Sequence, residues 1–327
     1  MTPLTTKEVK GKKYLYLERS IRLQNQSRKI SKYLGPAEST SKQKITAARR
    51  ELEAEFFARE VRLRTKTILE TVPELGYPLT AEEVEKIEEM NLKYKRIRRT
   101  LHKKNIEDLT KRFIANYVFE SNALEGNSLT LKNVAEIVFE NRISSGKDLR
   151  EIYDAQNSYN LFLWLQRTRQ ELSSDFIIQI HRRLMEKIDD RLGYRKVPII
   201  LLGKPLAKLS SPEKVTVDME RLLSWYQVNK EKIYPLELAF KFHAQFEKIH
   251  PFCDGNGRVG RFLLNYILLR KGYFPIIIRK TSRQSYLKAL EAADREIWIV
   301  LLRFALKHYK DTFRKFFEVY YRYAQAG

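Results

Sequence analysis

The sequence predicts a mainly α-helical protein with small β-hairpins, and three observations carry that expectation. Apolar residues recur at three- and four-residue spacing through most of the chain from Ser41 onward. Strand-like patterning is confined to two stretches, Lys12–Leu34 and Val197–Leu209. With 43 % hydrophobic and 31 % charged residues in 327, the composition is that of a folded globular protein, and no internal repeat or low-complexity stretch interrupts it.

Taken in order, Lys12–Leu34 carries Tyr, Ile and Leu at roughly alternate positions around the polar Gln24-Asn25-Gln26-Ser27, the pattern of a β-hairpin, which Gly35-Pro36 closes. The spacing from about Ser41 to Glu70 predicts a long helix. Gly76-Tyr77-Pro78 punctuates the chain, and Thr80-Ala81-Glu82-Glu83 resembles a capping box opening a helix that reaches past Arg98. Residues 1–75 read as a basic N-terminal region of hairpin plus helix, and 76–110 as a connecting helix. Further helices are expected over 105–125, 130–142, 148–168, 174–188, 215–229, 235–249, 257–271, 281–293 and 296–323. By periodicity alone, Val197–Leu209 fits a hairpin or a buried loop.

The 62 Lys and Arg against 40 Asp and Glu leave a charge of +22. The first fifty residues hold 13 basic and 3 acidic side chains, a net +10. Such an arm suits a phosphate backbone, an acidic protein partner, or solubility and domain packing, and the last is favoured over nucleic acid. Tyr14, Tyr16 and Tyr33 lie among its Lys and Arg, although alternating Tyr is also what an ordinary strand looks like. One cysteine, Cys253, excludes an internal disulfide and a multi-thiolate metal site, so ligands must be oxygen or nitrogen. The N-terminus lacks the apolar core of a signal peptide and no run of about 18 apolar residues occurs, so the expected location is cytoplasmic, away from the membrane.

Chemistry concentrates in His250-Pro251-Phe252-Cys253-Asp254-Gly255-Asn256-Gly257-Arg258-Val259-Gly260-Arg261, a glycine-rich loop between two apolar helices. Glycines admit positive φ and close approach of amides to a ligand. The first turn of the following helix adds unpaired N–H groups and a positive dipole end, which together make an anion cradle. Arg258 and Arg261 add bidentate donors suited to phosphates. Asp254, the loop's only carboxylate, is a hard ligand for Mg²⁺ beside a polyphosphate. His250, with an ordinary pKa near 6.5, is the candidate base. Each feature has a plainer reading: a tight connection, a structural His, an Arg paired with a nearby Glu. Phe252 has the plain role of anchoring the loop in the core.

Taken together, the string resembles the Fic signature HPFx(D/E)GNGRxxR at every specified position. The resemblance to the wider catalytic domain runs from about Lys111 to Tyr309, which sets a Fic domain at 111–312 and leaves 313–327 as the end of the C-terminal helix. It implies a Fic-type helical bundle and transfer of AMP from ATP to a Tyr, Thr or Ser hydroxyl of a target protein. His250 would be the base and Asp254 the Mg²⁺ ligand. Gly255, Asn256 and Gly257 would bind phosphates through amides and the Asn side chain, with Arg258 in support and Arg261 at the γ-phosphate. Val197–Leu209 is similar to the flap, a hairpin that aligns a target backbone as an added strand. Tyr286, through Asp294, is similar to the segment that encloses the nucleobase, with Tyr286 as the stacking surface. Leu287 stands there in place of a second aromatic.

Ser121-Asn122-Ala123-Leu124-Glu125-Gly126 ends a predicted helix, with Gly126 where a C-terminal cap glycine belongs. A carboxylate is disfavoured at that dipole end, so a nearby cation would compensate it, the plain alternative being a solvated Glu. The segment resembles the inhibitory motif (S/T)xxxE(G/N) of one Fic class, which implies that Glu125 pairs with Arg261 and holds transfer in check. The same site could instead remove AMP, or the chain could be a nucleotide-binding regulator whose N-terminal module binds nucleic acid or a partner. A homodimer is a further expectation from relatives that release the brake through oligomer changes.

Overall fold

A computed structural model describes residues 3–23, 26–72, 79–142, 146–199 and 209–326. The chain forms two compact units, one built on residues before 73 together with Thr80–Leu92, the other on Lys93 onward.

The first unit opens with a three-stranded antiparallel sheet, β1 (Leu4–Val9), β2 (Lys12–Leu23) and β3 (Gln26–Pro36), in the order β1-β2-β3. Lys10 and Gly11, at φ 50° and 74°, make the tight turn between β1 and β2, where only left-handed backbone keeps the hairpin twist. The expected hairpin is β2 with β3. β1 escaped notice because five of its six residues are exposed, so an edge strand of this kind carries no apolar alternation to read. Ser41 caps α1 (Lys42–Thr71) by accepting from the Lys44 amide. Leu52 and Phe56, one turn apart on α1, close over Leu17, Ile21 and Ile30 on one face of the sheet. Arg19, on that same face, reaches Glu53 and Glu60 of the helix. The capping box is present: Thr80 Oγ1 accepts from the Glu83 amide, and Glu83 accepts from that of Thr80, at the start of α2 (Ala81–Thr100).

The second unit is helical: α3 (Lys103–Leu124), α4 (Leu131–Glu140), α5 (Leu149–Arg167), α6 (Ser174–Met185), α7 (Val215–Asn229), α8 (Pro235–Ile249), α9 (Asn256–Arg270), α10 (Arg283–Asp294), α11 (Trp298–Thr312) and α12 (Glu318–Ala326). Every residue of α9 from Arg258 to Leu268 is buried, so this helix is enclosed by protein nearly all round and forms the unit's centre. The helix expected over 296–323 is interrupted by a π-helical turn at Phe313–Phe317, where Phe313 and Phe317 both pack on Phe274. The expected flap falls mostly on 200–208 and lies outside the described residues. Among those described, no helix is long and apolar enough to cross a membrane.

Phe56 is 2 % exposed at the centre of the N-terminal core. Phe56→Ala is expected to cost about 3–5 kcal/mol in urea unfolding, the usual loss for a large aromatic removed from a filled core.

Candidate active site

The loop between α8 and α9 is held by its own backbone before any ligand is considered. His250 caps α8 in the left-handed region, φ 54°, and Gly255 at φ 78° turns the chain into α9. The Asn256 side chain accepts from the Phe252 amide and donates to the Phe252 carbonyl, both at 2.8 Å. Its amide group is therefore taken by the loop rather than offered to phosphates, as the sequence had suggested, and its own backbone N–H is what remains for an anion. Phe252 is fully buried and stacks on His181 with centroids 3.8 Å apart. His181 Nε2 donates to the Asp254 carbonyl at 3.2 Å. Burial pushes His181 down to about 4, so it stays neutral in that role.

The His250 ring lies against the same loop. Its Nδ1 is 3.3 Å from the Glu247 carbonyl, and since a carbonyl only accepts, the proton sits on Nδ1 and leaves Nε2 as the basic nitrogen. Burial lowers the His250 pKa, outweighing Glu125 and the Glu247 carbonyl, so the ring is a neutral base at neutral pH.

At the first turn of α9 the two arginines are buried. Arg258 pairs with Asp154 of α5 and reaches Asp254 at 3.3 Å. Asp254 also pairs with Arg150 and accepts from the Gly255 amide at 2.6 Å. Arg261, 2 % exposed, donates to the Ser121 hydroxyl at 2.9 Å, the Ser121 carbonyl at 3.0 Å and Glu125 Oε1 at 2.7 Å. Glu125 hangs directly over Gly257: a Cβ at position 257 would run into its Oε1. The carboxylate thus sits where the helix N-terminus favours an anion. The Glu125 side chain keeps 43 % of its surface exposed, and loss of solvent on its inner side works against its charge, but Arg261, aided by Arg258, holds the carboxyl below its ordinary value. Burial likewise opposes the Arg261 charge, and Glu125 more than offsets it.

Glu125 is the C-cap of α3. The Asn127 amide donates to the Asn122 carbonyl and the Gly126 amide to that of Ala123, with Gly126 at φ 98°, the hydrogen-bond pattern of a Schellman end. Arg283 adds a donor to the Leu124 carbonyl at 3.1 Å. Asn122, inside the same segment, accepts from Ser158 of α5.

Tyr286 departs from expectation. It is 4 % exposed, hydrogen-bonds His243 at 2.6 Å and is flanked by the His243 and Phe304 rings, so it belongs to the core behind Arg261 and presents no open face to a nucleobase. Leu287 beside it is half-buried.

The sequence reading missed Arg195, which is buried and donates to the His250 carbonyl at 2.8 Å, the Ile249 carbonyl at 3.4 Å, the Val197 carbonyl at 3.2 Å and the Ser210 carbonyl. One guanidinium therefore fixes the end of α8, the backbone of His250 and both flanks of 200–208, and burial lowers its pKa. Nothing in its sequence surroundings marks it. His181 and Asp154 did leave a signal, a polar residue on the apolar stripe of a helix: His181 between Ile177 and Leu184, Asp154 one turn before Ser158 and Phe162.

Residues 171–268 match the Fic/DOC family. The chain carries a Fic domain. Protein adenylyltransferase fic-1 of Caenorhabditis elegans is 30 % identical over 211 residues, which cover 61 % of this chain and 40 % of that protein. A probable protein adenylyltransferase of Aquifex aeolicus is 34 % identical over 150 residues, 45 % of each chain. The chain thus spans less than half the length of these curated relatives. A Fic family protein of Desulfovibrio desulfuricans has a solved structure with TM-score 0.60 and 26 % identity, over 73 % of this chain and 75 % of its own. A Fic-domain signaling protein of Bacteroides thetaiotaomicron shares the fold at TM-score 0.66 and 22 % identity, over 73 % of this chain and 97 % of its own. The Fic domain's matched segment contains the whole loop from His250 to Arg261, whereas Glu125 lies outside it.

Lysine at 195 cannot span four carbonyls, so Arg195→Lys is expected to cost about 1–3 kcal/mol in urea unfolding through acceptors left unpaired. Acid should weaken the protein well above the carboxylate range. His181, His243 and His308 stay neutral in the fold down to about 4, 3 and 4, all lowered by burial. Below about pH 6.5 the unfolded chain takes up protons that the folded one refuses, so stability falls as pH drops from there. Unfolding free energies measured between roughly pH 7 and 4.5 should decline by up to about 1.4 kcal/mol per pH unit for each histidine, and His308→Gln should reduce the slope.

Proposed function

We propose that this chain is a protein adenylyltransferase, moving AMP from ATP to a Tyr, Thr or Ser hydroxyl of a target protein, with Glu125 as a built-in inhibitor. The observation that carries the reading is a neutral His250 beside the first turn of α9, where the buried Arg261 already holds a carboxylate in place of a phosphate. The curated relatives named above are protein adenylyltransferases, which supports the same chemistry.

In this reading the amides at the start of α9 and Arg261 receive the polyphosphate. His250 Nε2 takes the proton from the acceptor hydroxyl, whose oxygen bonds to the α-phosphorus as the bond to pyrophosphate breaks. Among the described residues no three His, Cys, Asp or Glu side chains form a metal cage, and a lone Asp254 beside the cradle fits Mg²⁺ shared with phosphates and water. The ion would supply neutralisation of phosphate charge, with Asp254 exchanging Arg150 for it. Target protein would bind along Val197–Leu209. Glu125 blocks the reaction by holding Arg261 and filling the space over Gly257 that the terminal phosphate would need.

Label transfer from ATP carrying its isotope at the α-phosphorus tests this with Mg²⁺ present. Glu125→Gly should raise self-labelling at least tenfold over the unmodified chain, and adding His250→Ala should lower it again by about 10²–10⁴-fold. Equal labelling with and without Glu125 would remove the inhibitory role. Loss of AMP from a modified protein, with no transfer in any variant, would reverse the direction of the reaction.

A further inference from the structure

The N-terminal sheet has one face closed by α1 and another that carries Tyr14, Tyr16 and Tyr33. Tyr16 pairs directly with Tyr33 across β2 and β3. Their ring centroids are 5.4 Å apart, and Tyr14 lies 6.0 Å from Tyr33 on its other side. The three rings make a row, and Tyr33 at its middle is 51 % exposed. Along β2 the outer rings are two residues apart, about 7 Å of strand.

The charges around this row are positive in balance, three lysines against one carboxylate. Lys7 lies 4.5 Å over the Tyr16 ring, Lys12 precedes Tyr14 by two residues on the same strand, and Lys29 follows on β3. The face's carboxylate, Glu18, is 4 % exposed and is buried beneath Lys7, Lys29 and Ser31. Lys29 and Lys7 hold it down to about 2, so it stays ionised and neutralised over the whole working range. What the solvent meets is aromatic, hydroxylic and positive.

From this geometry we infer that the tyrosine face of the N-terminal sheet binds single-stranded nucleic acid. A flat ring accepts the face of any base, and lysines at the margin neutralise phosphates. An apolar protein partner would need a cluster of aliphatic anchors, whereas this face offers a single exposed one, Val9 opposite Lys12 at its margin, and the positions between the rings and lysines are Thr5, Ser20 and Ser31. A duplex keeps its bases stacked on one another and has no ring to offer this surface. The inference does not depend on the nucleotidyl-transfer reading, since none of its residues belongs to that site.

Fluorescence anisotropy of the full chain with short end-labelled oligo(U), oligo(dT) and a duplex of the same length tests it. The single strands should bind with micromolar affinity and the duplex at least tenfold more weakly. Binding should weaken about twentyfold for a fourfold rise in salt if about three phosphates are neutralised. Tyr33→Ala should weaken single-strand binding at least fivefold with an unchanged melting temperature, while Tyr33→Trp retains it and Lys12→Glu reduces both affinity and salt dependence. Equal affinity for Tyr33→Ala and the unmodified chain, equal binding of the duplex, no binding at low salt, or displacement by poly-glutamate as readily as by unlabelled oligo(U) would each overturn the inference. The last result would assign the face to an acidic protein.

Discussion

A guanidinium with 2 % of its surface exposed must find its acceptors inside the protein, and Arg261 finds three of them at the end of α3. That constraint ties two segments 136 residues apart in sequence to one spot. Ser121 supplies a hydroxyl and a carbonyl, both neutral, and Glu125 supplies the charge. Removing either kind of partner leaves a cation buried beside a positive helix end, so the position calls for an anion whether the anion comes from the chain or from a ligand.

The surrounding loop is braced in series. Asn256 closes the turn on Phe252, Phe252 stacks on His181, and His181 returns to the Asp254 carbonyl. Arg195 fixes the other end through the carbonyls of Ile249 and His250. Side chains that would otherwise be loose are therefore oriented in advance, which lowers the cost of ordering them around a bound group. All four of these braces are neutral or carbonyl-bound groups rather than salt links, and their geometry is insensitive to ionic strength.

Much of this could be read from the sequence because residue type and spacing carried it. Helix positions followed from apolar recurrence, and the helix ends at Thr80 and Gly126 followed from the chemistry of caps. The loop was legible because glycine, arginine, carboxylate and imidazole each have few reasons to occur together. Arg195 was not, since its partners are backbone carbonyls that every residue possesses. Arg150 was not, since it meets Asp254 104 residues away. Asp154 stood out as a polar residue on an apolar stripe, but its pairing with Arg258, also 104 residues away, did not. Tyr286 was misjudged for a related reason: its type suits a stacking surface, and only packing against His243 and Phe304 shows that both faces are already covered.

Glu125 is carried on a cap residue whose backbone is pinned on both sides, by the amides of Gly126 and Asn127 and by Arg283 at Leu124. None of these backbone hydrogen bonds runs through the Glu125 carboxylate, so giving up Arg261 would leave the end of α3 in place. In the proposed exchange of this carboxylate for a phosphate at that arginine, the moving part would be one side chain and not a domain. A site built this way would respond to how strongly two anions compete for one cation.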